Sequence, residues 1–267
     1  MDQQAVIAAL GTLLQPDERI RALFLAGSFG RGTADAFSDV DLLAVAEKPD
    51  QEAIAAGWRD QLDAVAPVVH LQRLQRGSMV IHAVLADWTR VDLHIVGRDG
   101  MASMAQDKLK TLFDREGLYA GLPLSRPDPG SDPRAVAQTI SEFIRVLGLT
   151  HVSDGRGEYE LGVLGYSLLR RMLADILIAE MGKRDTGGLL HLSRVIDAGR
   201  MQILTGLPSP TADRDSILSA NKTIARIFFP RAKALAAKLG IQWPQSFEGA
   251  TRTVLQETLP ERYRPDW

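Results

Sequence analysis

Residues 23–45, LFLAGSFGRGTADAFSDVDLLAV, constrain this chain more than any other stretch. Leu23 to Ala26 is an apolar run that reads as a short buried strand ending at Gly27-Ser28. A segment rich in glycine and serine breaks follows, and then Asp39-Val40-Asp41-Leu42-Leu43-Ala44-Val45 reads as a second strand. Side chains alternate across a strand, so Asp39 and Asp41 share one face while Val40 and Leu42 take the other. Two carboxylates held a few ångströms apart resist joint ionisation unless a cation lies between them. Oxygen ligands on a rigid strand suit Mg²⁺, which binds substrate phosphates as well. Upstream, Gly27 lets backbone approach a ligand closely, and Ser28 offers a hydroxyl and an N–H at a helix start, where phosphate oxygens are well held. A phosphate cradle followed by a carboxylate pair is equipment for handling a nucleoside triphosphate.

Taken separately, these signals are far less specific. Asp-x-Asp occurs in calcium loops and in metal-dependent glycosyltransferases. A glycosyltransferase would need a larger nucleotide-binding fold ahead of the pair, and only 38 residues precede Asp39.

With 267 residues, the chain is long enough for one large domain or two ordinary ones. Its 45% hydrophobic and 24% charged residues are those of a soluble globular protein. Lys+Arg 31 against Asp+Glu 33 gives a net charge of −2, without the basic surplus that a long nucleic acid would demand. The absence of cysteine excludes disulfides, thiolate metal sites and a cysteine nucleophile. The N-terminus lacks a basic region and a cleavage site, and no apolar run reaches membrane-spanning length. A cytoplasmic enzyme with no membrane partner is the expectation.

Residues 2–14 carry apolar residues at helical spacing behind a capping Asp2. Strands are expected at Arg19–Ala26, Asp39–Ala46, Val68–Leu74, Ser78–Leu85 and Thr89–Val96, with an edge strand at Lys108–Phe113. Gln75-Arg76-Gly77-Ser78 and Ala86-Asp87-Trp88 serve as turns. A helix from Pro49 to about Val65 places Ile54, Trp58, Leu62 and Val65 on one face. This predicts a sheet with helices on one side over residues 1–125. Residues 122–133, LPLSRPDPGSDP, hold four prolines and read as a linker. Beyond it, residues 126–267 form a helical bundle, with helices at Asp132–Leu149, Glu158–Glu180, Asp185–Ala198, Asp213–Leu239 and near Phe247–Glu257. Pro230 predicts a kink or break in the fourth. The fold class is therefore α+β, a mixed sheet with flanking helices followed by an all-α domain.

The arrangement of Gly27, Ser28, Asp39 and Asp41 resembles the signature of the DNA polymerase β-like nucleotidyltransferase superfamily. There a Gly-Ser pair ends the first strand and Asp-x-Asp follows on the next after roughly ten residues. That superfamily has a third carboxylate on a neighbouring strand. In Arg90-Val91-Asp92-Leu93-His94-Ile95-Val96 the polar residues share a face, and Asp92 is the best-placed candidate. The alternative is an exposed antiparallel strand whose polar face meets water. The resemblance implies that Asp39, Asp41 and Asp92 are the metal-binding and catalytic residues, with Asp92 a base, a metal ligand or both. It implies that Gly27 and Ser28 hold the phosphates. Arg31 is either a fork of donors to the triphosphate or an idle loop arginine. His94, on the same face, reads as a structural or solvent-facing residue, and His70, His82, His151 and His191 form no ligand spacing and are assigned nothing.

Within the superfamily the chain is similar to antibiotic-modifying enzymes, above all the two-domain lincosamide nucleotidyltransferases. The similarity runs through Asp17-Glu18-Arg19-Ile20, Gly27-Ser28-Phe29, Gly32, Ser38-Asp39 and Asp41. Those enzymes tend to carry Glu where this chain has Asp41 and Asp92. Phe113-Asp114-Arg115-Glu116-Gly117 looks like the strand-end turn of that group and of streptomycin adenylyltransferases. Arg156-Gly157-Glu158-Tyr159 resembles part of the lincosamide enzymes' helical domain. The implied activity is Mg²⁺-dependent transfer of a nucleoside monophosphate, AMP from ATP, to a hydroxyl of a small molecule such as an aminoglycoside or lincosamide-like antibiotic. A helical domain that binds the acceptor and supports a homodimer is implied too. A protein acceptor and a non-catalytic nucleotide-binding or dimerisation module remain open. Glu158 and Glu160 could face a cationic drug, although a helix N-terminus favours acidic residues in any case. Trp58, Trp88 and Tyr159 read as packing residues.

Overall fold

The computed structural model describes residues 2–76, 78–183 and 192–267, with backbone alone at 75 and 76. It divides into two compact units, Met1–Pro127 and Asp128–Trp267, and the division falls inside the proline-rich stretch. Among the described residues, no helix is long and apolar enough to cross a membrane.

The first unit opens with α1 (Gln3–Leu14), whose N-cap Asp2 accepts a hydrogen bond from the Ala5 N–H at 2.7 Å. Its remaining elements are β1 (Ala22–Leu25), the single turn α2 (Gly27–Gly30), β2 (Val40–Val45), α3 (Lys48–Asp63), β3 (Val68–Arg76), β4 (Ser78–Leu85), β5 (Arg90–Val96), α4 (Arg98–Ala102) and β6 (Lys110–Asp114). The strands form one mixed sheet in the order β3-β4-β5-β2-β1-β6. β2 and β5 run parallel in its middle, and the remaining neighbours pair antiparallel. β1 lies between β2 and β6 and is buried at all four positions, which explains its unbroken apolar run.

On one face, Val6, Ile7 and Leu10 of α1 and Ile54, Trp58 and Leu62 of α3 pack against Leu23, Leu25, Val40, Leu42, Val91, Leu93 and Ile95. The other face carries a smaller core of Ala22, Phe24, Leu43, Val45 and Val96 under Met101 of α4, Leu109 and Leu122. The expectation of helices on one side needs that correction: α4 and the following loop cover part of the opposite face. The sequence underrated them because five helical residues give no readable periodicity. The turn expected at Gln75–Ser78 includes Gly77, which lies outside the described residues.

The second unit is helical: α5 (Pro133–Gly148), α6 (Thr150–Arg156), α7 (Tyr159–Ala179), α8 (Leu192–Val195), α9 (Ala198–Thr205), α10 (Arg214–Leu239) and α11 (Gln245–Thr258). Phe143, Phe228 and Phe229 meet in its core, the last standing edge-on to the other two at 6.0 Å. Two expectations change here, and part of a third lies outside the described residues. Pro230 does not break α10, which stays helical from end to end; buried Ala225, Phe228, Phe229 and Ala232 pin it on both sides of the proline, and packing outweighs the lost backbone bond. The helix expected at Asp185–Ala198 begins outside the described residues, as does His191. At its far end Asp197 caps a new helix, accepting from the Arg200 N–H at 2.8 Å, so Ala198 starts α9 rather than ending its predecessor.

Candidate active site

The site grows from the crossing of β1, α2, β2 and β5. Gly27 adopts φ +53°, and a Cβ built there would stand 1.8 Å from Oδ2 of Asp41. The position therefore demands glycine on two counts, backbone conformation and the carboxylate packed against its Cα. One turn on, a Cβ at Gly30 would meet the backbone carbonyl oxygens of Lys108 at 2.3 Å and Leu25 at 2.7 Å. The Ala26 N–H donates to the Asp41 carbonyl at 2.8 Å, tying the end of β1 to the start of β2. Ser28 is 6% exposed and its hydroxyl has no hydrogen-bond partner. A buried hydroxyl left unpaired costs free energy, so a ligand oxygen is what this atom lacks.

In the parallel β2–β5 ladder Asp41 stands opposite Asp92. Asp39, expected to open the strand, instead precedes the observed β2 by one residue, yet its carboxylate joins the other two. One oxygen from each of Asp39, Asp41 and Asp92 lies within 4.8 Å of the others. The electrostatics follow from crowding. Burial, then Asp39, then Asp92 push Asp41 up to about 7. Burial also raises Asp92, against the opposing pull of His82. A proton or a cation has to relieve three such groups, and an all-oxygen donor set matches a hard divalent ion.

Two further side chains hold this arrangement. Nδ1 of His82 lies 2.8 Å from Oδ2 of Asp92. Arg90 donates to the Phe37 carbonyl at 2.8 Å and reaches Asp39 at 3.5 Å. The sequence pattern gives little notice of His82, whose only signal is a polar slot in the alternation of β4. It takes the His82↔Asp92 register of the antiparallel β4–β5 ladder to reveal the pair. His94 lies on the same face of β5, and burial keeps its pKa below the ordinary histidine value. Arg31 is half-exposed, and its charge opposes the rise at Asp41 without a hydrogen bond to any of the three carboxylates. Glu158 and Glu160 are exposed in the second unit, Trp58 is core, and Trp88 is 78% exposed rather than packed.

Residues 8–76 match the family model described as "Nucleotidyltransferase domain". That span contains Gly27, Ser28, Asp39 and Asp41 and stops short of Asp92. Residues 8–76 of the first unit thus carry a nucleotidyltransferase domain, and the protein is a transferase enzyme. No curated protein matches the chain. Among solved structures, an aminoglycoside 6-adenyltransferase from Bacillus subtilis is 15% identical with a TM-score of 0.41, covering 94% of this chain and 95% of that one. A nucleotidyltransferase-like protein from Exiguobacterium sibiricum is 13% identical with a TM-score of 0.38, covering 94% of this chain and 79% of that one. The Cid1 poly(U) polymerase, 22% identical with a TM-score of 0.30, matches over 35% of this chain and 30% of its own. Identity and TM-score are too low for any of the three to speak to substrate.

Proposed function

We propose that the protein is a Mg²⁺-dependent nucleotidyltransferase that moves AMP from ATP onto a hydroxyl of a small molecule, an aminoglycoside- or lincosamide-like compound, with release of pyrophosphate. The observation that carries this reading is the meeting of three carboxylates beside the buried, partnerless hydroxyl of Ser28. Asp39, Asp41 and Asp92 would hold the cation, and the rise of Asp41 to about 7 in its absence is the strain that a cation relieves. When bound, that ion neutralises charge developing on the phosphates.

The chain's own residues supply the rest. Gly27 allows a phosphate to approach the backbone, Ser28 donates to a phosphate oxygen, and Arg31 extends toward the triphosphate. Asp92 takes the proton of the acceptor hydroxyl. The hydroxyl oxygen attacks the α-phosphorus, and the bond to the α–β bridging oxygen breaks, so the electron pair leaves with pyrophosphate. His82 occupies one oxygen of Asp92 and leaves the other for the acceptor. Catalysis of this kind is mostly positioning and electrostatics. A homodimer belongs to the same reading and is checked by light scattering.

Calorimetric titration of each of the four Mg-nucleoside triphosphates into wild-type protein tests the reading, with Asp39→Asn/Asp41→Asn as the blank. The expected result is metal-dependent binding of ATP that the blank loses, followed by acceptor-dependent pyrophosphate release that Asp92→Asn lacks. Absence of binding by all four to the folded protein defeats it.

A further inference from the structure

Trp88 occupies the β4–β5 turn with its side chain 78% exposed. Its φ is +66°, and it is the one non-glycine residue with positive φ among those described. Glycine adopts that conformation freely, whereas a bulky side chain there is strained. The turn thus keeps a residue that both its backbone and the surrounding water disfavour, and such retained strain points toward function. The turn itself is well tied: the Trp88 N–H donates to the Leu85 carbonyl and the Leu85 N–H to the Thr89 carbonyl, each at 2.9 Å.

Two residues further on stands Arg90, which binds the carbonyl of Phe37 and reaches Asp39. Phe37 is 87% exposed. A cavity of about 310 Å³ has Asp2, Gln3, Asp87, Trp88, Thr89 and Arg90 among its lining residues. It shares Arg90 with the carboxylate centre.

We propose that Trp88 forms a platform for a ring of the acceptor remote from the reacting hydroxyl. The inference rests on the nucleotidyl-transfer reading above. Sheet order assigns the platform to the acceptor rather than to the nucleotide. Gly27, Ser28 and Arg31 follow β1, on one side of β2, whereas Trp88, Arg90 and Asp92 belong to the opposite side with β5. Trp88 precedes Asp92 by four residues, a backbone path of at most ~13 Å at about 3.3 Å per residue. A molecule that touches the indole and offers a hydroxyl to Asp92 has to extend beyond a single six-membered ring. An indole face suits the apolar face of a hydroxylated ring or a cationic substituent, and Arg90, Thr89 and Gln3 give the rim polar groups. The ligand class is a polyhydroxylated acceptor of two or more rings.

Trp88→Gly tests this, because glycine accepts φ +66° and the turn keeps its fold. Pyrophosphate release by the full-length protein is followed with ATP and, in turn, kanamycin A and lincomycin as multi-ring probes. The expected result is a rise of about tenfold in the KM for a probe, with kcat and the KM for ATP unchanged, the signature of lost uniform binding. A fall in ATP affinity in Trp88→Gly overturns the inference, since the platform would then hold the nucleobase. An unchanged probe KM also overturns it. If wild-type protein binds no nucleotide, the nucleotidyl-transfer reading fails. Saturation-transfer NMR of the same probes against wild type and Trp88→Gly then still decides the platform. Saturation transfer in wild type that disappears in the variant supports it, and equal transfer or none in either protein overturns it.

Discussion

The two faces of β2 and β5 solve opposite problems with the same alternation. Val40, Leu42, Val91, Leu93 and Ile95 point into the larger core and are essentially free of solvent. Asp41, Asp92 and His94 point the other way, half-buried, into a space where charge is crowded. Burial stabilises the first face by roughly 1.5–3 kcal/mol for each large side chain. On the second face the same desolvation raises the pKa of both aspartates. This domain draws its stability from one side of two strands and holds its crowded carboxylates, at a cost, on the other.

That division breaks if the carboxylate face proves structural. Asp39→Asn/Asp41→Asn is expected to reduce pyrophosphate release by about 10³-fold or more, equivalent to about 4 kcal/mol. Its melting temperature should hold or rise. Retained activity, or a collapsed fold, refutes the division of labour. Leu42→Ala probes the opposite face: it should cost about 2–5 kcal/mol in urea unfolding while the folded fraction keeps its kcat.

A pH series sharpens the contrast. The folded pKa of Asp41, about 7, lies above its ordinary 3.8, so between those values the native state binds more protons than the unfolded state. Stability of the metal-free protein should therefore fall as pH rises from about 4 to about 7, by on the order of 2 kcal/mol after allowance for solvent. Asp41→Asn should flatten the slope, and added Mg²⁺ should restore the stability lost above pH 7. A melting temperature that climbs steadily over this window in metal-free buffer contradicts the assignment. The smallest effect is expected at His82. His82→Gln keeps a donor toward Asp92 and should cost less than His82→Ala, which should lower kcat about tenfold without changing the KM for ATP. Equal losses in the two variants argue against a positioning role.

Much of this was legible in the sequence because it is local. The alternation in Asp39–Val45 and Arg90–Val96 places polar and apolar residues on opposite faces before any partner strand is known. Asp2 and Asp132 announce their helices as caps and accept the backbone bond a cap should, and the structure adds Asp213 as a third. What escaped depends on pairing across distance. That Asp92 lies on a strand beside Asp41 came from the family resemblance alone, whereas the parallel direction of β2 and β5, and the β4–β5 register that brings His82 to the same carboxylate, are encoded in no periodicity. Trp88 escaped for another reason. Its residue type argues for burial, and only the backbone conformation shows that the turn carries it outward.

The position of β2 and β5 in the sheet has a further consequence, in time rather than in space. They are its third and fourth strands of six, with hydrogen-bonded neighbours on both sides. Amide protons of Leu42 and Leu93 should exchange only through openings close to global unfolding, whereas Phe37 and Trp88 lie on loops that can open locally. On the reading proposed above, adjustment to different acceptors would fall to residues 35–38 and 86–89, around carboxylates held by the middle of the sheet.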